Sequence, residues 1–320
     1  MSRIFIITSF FFFSILFLQC SAKKSDASTL LLKKSGCTLE LYLSLGSLSE
    51  QTTTYTEAND IQKLFFINGC KIDKNNDGLL DEIILQEHVI KTAPDPEATG
   101  VGVLNWEGNA IKMLHNLNED DPKFKAVEKE YLKAYSIVKE LRPNISWGFY
   151  GLPFRDYWNR NEKWIEKNNK LKNILAATDV IFPSVYDFYE DTNKFAGRKR
   201  DSLYVNDNIQ MALQFGKEFS KPVLPFYWHR YHNSNKKVSL KLIPWDEFGK
   251  SIEAGLNADY KNQKIAGIIW WGSDRYFYNV KQKNVFAEVS KEKDYETYEH
   301  KLIVNYSSNI KDLFKNYCLN

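Results

Sequence analysis

Residues 100–107 read GVGVLNWE, an apolar run that ends in an amide, an indole and a carboxylate. A short, almost continuous apolar segment of this kind predicts a β-strand buried on both faces, as in a parallel sheet. Other segments of the chain have the same character. Together they predict seven strands: Leu39–Leu45, Leu64–Asn68, Gly100–Glu107, Ser146–Tyr150, Val180–Tyr186, Val223–Trp228 and Ile265–Trp271.

Longer segments with helical spacing lie between and after these strands: Pro122–Leu141, Arg160–Ala177, Val205–Phe219, Trp245–Leu256 and Tyr295–Phe314. Alternating strands and helices predict parallel pairing. We therefore expect an α/β fold, a distorted (β/α) TIM-like barrel of seven or eight strands, whose strand ends carry the functional side chains on one face. A doubly wound sheet is the alternative, but Asn105 stands where its dinucleotide fingerprint requires a third glycine.

The charge balance argues against a polyanion-binding protein of general type. The chain of 320 residues has 43 Lys and Arg against 40 Asp and Glu. That near-neutral total predicts no nucleic-acid partner. The histidines have no zinc spacing and no serine lies in a Gly-x-Ser-x-Gly turn, so we expect no cofactor for catalysis.

The amino terminus has the pattern of an export signal. Arg3 precedes an apolar run from Ile4 to Leu18, which is too short to span a bilayer. We predict a signal peptide at 1–19, a tether at 20–35 and one folded domain at 36–320. Residues 17–20 resemble a relaxed bacterial lipobox, so Cys20 is a candidate lipidation site and membrane anchor. The alternatives are a bacterial cell-surface lipoprotein and a secreted protein with ordinary signal cleavage.

Three further cysteines follow Cys20: Cys37, Cys70 and Cys318. An odd number allows at most one disulfide bond among them, and exported proteins commonly form such bonds. The sequence leaves open whether Cys37 pairs with Cys70 or with Cys318.

Residues 73–81 follow the opening of a calcium-binding loop. Oxygen-bearing side chains occupy positions 1, 3, 5 and 9, namely Asp73, Asn75, Asp77 and Asp81. Gly78 provides the sharp turn at position 6, but Ile84 stands at position 12, where a bidentate Glu is required. A structural calcium site and a simple Asn-Asp-Gly surface turn are both consistent with this pattern.

The segment 100–107 resembles the hyaluronidase motif of glycoside hydrolase family 56, in which a strand ends in Asp-aromatic-Glu. Four further segments resemble that family in the same order: residues 147–153, 182–186, 224–231 and 267–273. The resemblance spans residues 95 to 280 and is strongest to the insect-venom branch. It implies the same barrel fold.

The resemblance also implies a substrate-assisted, retaining mechanism, in which Glu107 protonates the glycosidic oxygen while the N-acetyl carbonyl of the substrate attacks the anomeric carbon. Asn105 stands where the family has Asp. An amide is neutral and can only form hydrogen bonds, so we expect slower turnover than in the family.

Aromatic residues at the other strand ends are the candidates for substrate binding. In the resemblance, Tyr186 and Tyr231 hold the N-acetyl group and Trp271 packs against its methyl group. Tyr227 is the alternative to Tyr231, and Tyr150 ends a further matched segment. The basic run 198–200 either lines the cleft for uronic-acid carboxylates or forms a solvated face.

These observations favour an exported, endo-acting glycosidase that hydrolyses N-acetylhexosaminidic bonds in a glycosaminoglycan such as hyaluronan or chondroitin. A related N-acetylated polysaccharide is the other possible substrate. The alternative, motivated by Asn105, is a surface glycan-binding lipoprotein that uses the same cleft with little or no turnover.

Overall fold

A computed structural model describes residues 37–319. Its sheet contains six strands: β1 (Glu40–Ser44), β2 (Gln62–Asn68), β3 (Gly100–Asn105), β4 (Ile145–Phe149), β5 (Phe226–Trp228) and β6 (Gly267–Trp271). All of their pairings are parallel, in the order β4-β3-β2-β1-β6-β5. The parallel sheet predicted from the alternation of strands and helices is confirmed.

Residues 181–184 join the two edges of this sheet. Phe182 bridges Tyr150 beyond β4, and Ser184 bridges Phe226 of β5. The predicted strand at 180–186 is therefore present as isolated bridges, because Pro183 has no N–H to donate to a continuous ladder. With the six strands, this segment makes the seventh member of a distorted (β/α) barrel, and it lies between β4 and β5. Seven members agree with the prediction from the sequence.

Eleven α-helices lie within residues 37–319: α1 (Glu50–Ala58), α2 (Glu82–Thr92), α3 (Asn109–Asn116), α4 (Pro122–Leu141), α5 (Glu162–Asn169), α6 (Lys172–Ala177), α7 (Gly197–Phe219), α8 (Trp245–Leu256), α9 (Asp274–Asn279), α10 (Lys283–Val289) and α11 (Tyr295–Leu319). A short 3₁₀ helix covers Gly69–Lys71. No helix in this range is long and apolar enough to cross a membrane.

The predicted bounds of α4 and α8 are confirmed. Helix α4 begins where Asp121 accepts a hydrogen bond from the Lys123 N–H and Pro122 occupies the first turn. The predicted helix at 160–177 is wrong in one respect, because it is divided into α5 and α6. Helix α7 begins at Gly197 instead of Val205, and α11 continues to Leu319.

Tight packing in the barrel depends on small residues at specific positions. Trp147 of β4 is fully buried beside β3. A Cβ atom on Gly102 would lie 2.2 Å from the Trp147 ring, so only glycine admits the indole there. The largest other buried side chains in the described range include Trp106 and Trp270.

A disulfide bond between Cys37 and Cys318 joins the start of the described chain to the end of α11. Cys70 is a free and exposed thiol. Of the two pairings that the sequence left open, the structure has the long-range one. Cys20, the predicted signal peptide at 1–19 and the predicted tether at 20–35 lie outside the described residues.

Candidate active site

A cavity of about 190 Å³ opens at the carboxyl ends of the strands. Its walls are formed by Phe66, Asn105, Glu107, Tyr150, Arg155, Tyr186, Trp228, His232, Asn233, Trp271 and Phe277. Five residues predicted from the sequence are therefore brought together: Asn105, Glu107, Tyr150, Tyr186 and Trp271.

Trp106 holds the two polar residues on either side of it toward the cavity. Its ring is buried and stacks on Tyr131 with centroids 4.6 Å apart, and the Tyr131 hydroxyl donates to the Trp106 carbonyl at 2.8 Å. Because side chains alternate along an extended segment, burying Trp106 turns Asn105 and Glu107 to the opposite side. Gly69 packs beneath them, where a Cβ atom would lie 2.8 Å from the Asn105 carbonyl oxygen.

The loop at residues 73–81 supports Trp106. The Asp73 carboxylate accepts hydrogen bonds from the Asp77 and Gly78 N–H groups and, at 3.3 Å, from Trp106 Nε1. Asp81 accepts from the Ile84 N–H and caps α2. In the described range no three His, Cys, Asp or Glu side chains form a group that could hold a metal ion.

Calcium binding by Asp73, Asn75, Asp77 and Asp81 stays a prediction. The carboxylates of Asp73, Asp77 and Asp81 accept bonds from N–H groups of the protein itself instead of converging on one point. These bonds within the loop are also those expected of the Asn-Asp-Gly turn that the sequence offered as the alternative.

Tyr186 and Trp271 form an aromatic wall. Their rings stack with centroids 5.5 Å apart and planes inclined by 20°, and Trp228 meets Trp271 edge-on at 4.8 Å. Burial raises the pKa of Tyr186 well above its ordinary value, so its hydroxyl remains protonated at any physiological pH. The wall combines an apolar surface with a hydroxyl group, which suits an acetamido substituent.

Two predicted substrate contacts lie elsewhere. Tyr227 is fully buried outside the barrel lumen, with its ring against Phe248 of α8. The Tyr231 hydroxyl donates to Glu247 Oε2 at 2.6 Å, away from the cavity. Strand alternation explains the first case, since Trp228 faces the cavity and its neighbour therefore faces the helices.

Arg155 lines the cavity and was not predicted from the sequence. Its guanidinium carbon lies 5.1 Å from the Tyr186 ring centroid, and its nitrogens bond to Ser184 Oγ and, at 3.3 Å, to His232 Nε2. No carboxylate in the described range is within ion-pairing distance of Arg155. The only signal in the sequence is an arginine two residues after Pro153, close behind a strand end.

The cavity is lined by one acidic side chain, one arginine and one histidine. Burial and then the Arg155 charge lower the pKa of His232 to about 4, so this imidazole is neutral at neutral pH. Glu107 is then the one acidic side chain, and Arg155 the one cationic side chain, among the residues that line the cavity. An incoming carboxylate would meet an unpaired guanidinium on one side of the cleft.

A buried polar network supports the strand that carries Trp271. Trp270 faces away from the cavity, as alternation predicts, and its Nε1 donates to His229 Nδ1 at 2.8 Å. His229 Nε2 lies 3.1 Å from Asp274, which also pairs with the fully buried Arg230 at 2.7 Å. Burial works against the charge on Asp274, but His229 and Arg230 hold its pKa below the ordinary value.

The chain was compared with known proteins. A family model described as hyaluronidase matches residues 112–293. The chain belongs to the hyaluronidase family, glycoside hydrolase family 56. The match begins just after Asn105 and Glu107 and includes Tyr186 and Trp271. The family resemblance seen in the sequence is thereby confirmed.

Individual hyaluronidases are distant relatives. The hyaluronidase of Apis mellifera is 22% identical over 228 residues, covering 59% of this chain and 56% of the relative. Hyaluronidase PH-20 of Homo sapiens is 24% identical over 248 residues, covering 62% of this chain and 45% of the relative. The chain spans about half the length of the curated relatives it matches.

Solved hyaluronidase structures share the fold. Bee venom hyaluronidase superposes with a TM-score of 0.55 at 15% identity, covering 76% of this chain and 97% of that one. Its complex with a hyaluronic acid tetramer gives a TM-score of 0.56 at 16% identity, covering 79% and 95%. These likenesses confirm the predicted barrel.

The basic run of this hyaluronidase-family chain does not line the cavity. Arg198 Nε pairs with Asp191 at 2.7 Å. Lys199 is exposed, and the Arg200 guanidinium lies over the Trp158 ring, 4.8 Å from its centroid. The cavity cation is Arg155 instead.

Proposed function

We propose that the protein is an exported, endo-acting glycoside hydrolase that cleaves N-acetylhexosaminidic bonds in a glycosaminoglycan, hyaluronan or chondroitin. One observation carries the proposal: a single cavity holds the Glu107 carboxyl group together with the stacked pair Tyr186 and Trp271. Membership of the hyaluronidase family supports it, as does the bee venom relative that was solved with a hyaluronic acid tetramer.

In the proposed reaction Glu107 donates its proton to the glycosidic oxygen, while the acetamido carbonyl of the substrate attacks the anomeric carbon. Water then opens the cyclic intermediate with Glu107 acting as the base, so the anomeric configuration is retained. The protonated hydroxyl of Tyr186 orients the acetamido group, and Trp271 covers its methyl group. Both contacts keep the carbonyl oxygen in line with the carbon that it attacks.

Arg155 extends the proposal to the acidic sugar of the substrate. Within residues 37–319 the Arg155 guanidinium forms two hydrogen bonds, to Ser184 and to His232. A guanidinium has five N–H donors, so donors remain for a ligand. A partly buried cation without an anionic partner is stabilised when a carboxylate binds. We therefore assign the uronic-acid carboxylate to Arg155, in place of the basic run at 198–200.

A second function, glycan binding with little turnover, is favoured by Asn105. Its side-chain oxygen is buried and has no hydrogen-bond partner in the described range. A neutral amide cannot share a proton with Glu107, and it offers less stabilisation than a carboxylate to positive charge that develops on the substrate. The same cleft would then serve a surface glycan-binding protein.

One assay separates the two functions. The purified chain and its Glu107→Gln variant are incubated with hyaluronan and with chondroitin, and new reducing ends are counted. We expect release by the parent chain and none by the variant. Equal release by both would exclude Glu107 as the acid, and binding without release by either would favour the glycan-binding function.

Export by a lipid-anchored or a secreted route remains part of the proposal. The Cys37–Cys318 disulfide supports an oxidising compartment. If Cys20 is acylated, the protein enters the detergent phase on partition and Cys20→Ser releases it to water. Recovery of the parent chain in the aqueous phase, with an amino terminus beyond Cys20, would exclude the anchor.

A further inference from the structure

A second pairing of a cation with an aromatic ring lies outside the cavity. Trp158 is 49% exposed, although most tryptophans of the described chain are buried. The Arg200 guanidinium lies 4.8 Å from its ring centroid. Arg200 forms no ion pair or hydrogen bond with any residue between 37 and 319. An exposed indole and an unpaired guanidinium are thus held side by side without a protein partner.

Ring contacts connect this pair to the cavity without a gap. The successive centroid distances are 6.3 Å from Tyr186 to His232, 4.8 Å from His232 to Phe188, 5.5 Å from Phe188 to Tyr157 and 4.8 Å from Tyr157 to Trp158. Arg155 lies over both Tyr186 and Phe188 along this path. Tyr157 in this series is buried, whereas Arg155, Phe188 and His232 are half-buried, so Trp158 lies at the outer end of a packed aromatic series that begins at the cavity wall.

Hydrogen bonds fix the backbone at Trp158. Asp156 Oδ1 accepts from the Trp158 N–H at 2.8 Å and from the Asn159 N–H at 2.7 Å. The backbone of Asp156 in turn exchanges two hydrogen bonds with the Asn208 side chain of α7. Bonds of this kind restrict the loop, which reduces the entropic cost of binding a ligand to it.

We propose that Trp158 and Arg200 form an outer subsite for a carboxylate-bearing sugar of an acidic polysaccharide whose preceding residues occupy the cavity. The exposed part of the indole offers an apolar surface to the C–H groups of a pyranose ring. The guanidinium offers paired N–H donors to a carboxylate. The inference rests on the proposed function, because it requires an acidic polymer in the cavity.

Binding is measured with Glu107→Gln as the parent, so that the ligand is not consumed. Titration calorimetry compares a hyaluronan tetrasaccharide, long hyaluronan oligosaccharides and neutral chitin oligosaccharides of equal length. We expect Trp158→Ala and Arg200→Ala to weaken binding of long hyaluronan about tenfold each, the scale of one aromatic contact or of one hydrogen bond to a charged group. Binding of the tetrasaccharide remains unchanged, and Arg200→Ala leaves chitin binding unchanged.

Lys199→Ala is the matched control, since Lys199 is exposed, adjoins Arg200 in α7 and carries the same charge. Trp158→Phe keeps a ring and should retain part of the affinity, and thermal unfolding confirms that each variant is folded. The subsite is excluded if the parent binds long hyaluronan and the Trp158 and Arg200 variants match the Lys199 control. A parent that binds no hyaluronan of any length overturns the proposed function itself.

Discussion

Asn105 is the residue at which the two proposed functions, hydrolysis and glycan binding with little turnover, predict different behaviour. Replacing it by Asp places a carboxylate beside the position where positive charge develops in the proposed intermediate. We expect Asn105→Asp to raise kcat by on the order of 10²- to 10³-fold with little change in KM. Two carboxyl groups so close share a proton, so the pH optimum should also move.

Steady-state kinetics on hyaluronan across a pH series test this expectation. Asn105→Ser is the control, since it removes the amide without adding a charge. An unaltered rate and pH profile in Asn105→Asp would mean that another group provides the stabilisation or that the cleft only binds glycans.

Asp187, which directly follows Tyr186, makes stability depend on pH. Burial, reinforced by the nearby Asp201 carboxylate, raises the pKa of Asp187 to about 7. Between its unfolded value near 4 and about 7, the folded protein therefore binds more protons than the unfolded chain. This group thus lowers the free energy of unfolding as pH rises through that window.

The Asp187→Asn variant should lose this pH dependence. The amide imitates the protonated acid and can still accept the Ser251 hydroxyl bond that Asp187 receives at 2.8 Å. We expect the variant to gain more stability relative to the parent at pH 8 than at pH 4, as measured by thermal unfolding. His232 titrates in the opposite sense in both proteins and cancels in the difference. An equal difference at both pH values would contradict the assignment.

At the scale of elements, the loop at residues 73–81 supports the strand end that carries Glu107. Asp73→Ala removes the acceptor for two backbone N–H groups and for Trp106 Nε1. Leaving these donors without a partner should lower the free energy of unfolding by about 1–3 kcal/mol, as measured by urea denaturation. Turnover should fall as well, because Trp106 orients Glu107.

The calcium and turn interpretations of this loop predict different effects of Asn75→Ala and of EDTA on stability. If the loop is only a turn, Asn75→Ala, at an exposed position, leaves stability unchanged and chelation with EDTA does not alter Tm. A drop in Tm on addition of EDTA, reversed by added calcium, would support the calcium interpretation.

At the scale of the whole molecule, the Cys37–Cys318 bond links residues 281 positions apart. Replacing both cysteines by serine should lower the free energy of unfolding by about 2–5 kcal/mol, since the unfolded chain is no longer constrained. Urea denaturation measures the loss, and dithiothreitol should reproduce it in the parent. Cys70→Ser, at the free thiol, is the control and should unfold like the parent. Equal stability of the double variant would show that the bond does not form in solution.

The sequence by itself determined the features that repeat locally. Apolar runs indicated the strands. The capping residue Asp121, followed by a proline in the first turn, set the start of α4 at Pro122. Alternation around Trp106 set Asn105 and Glu107 on one side, because it depends only on the geometry of an extended chain. The family motifs then indicated Tyr186 and Trp271.

Only the tertiary structure decided which distant residues meet. It paired Cys37 with Cys318, turned Tyr227 and Tyr231 away from the cavity, and brought Arg155 into it. It also placed Arg200 of α7 over Trp158, although the two are far apart in sequence. Such contacts depend on strand register, loop path and helix packing across the barrel, and these are set by the burial of the whole core and not by any local pattern.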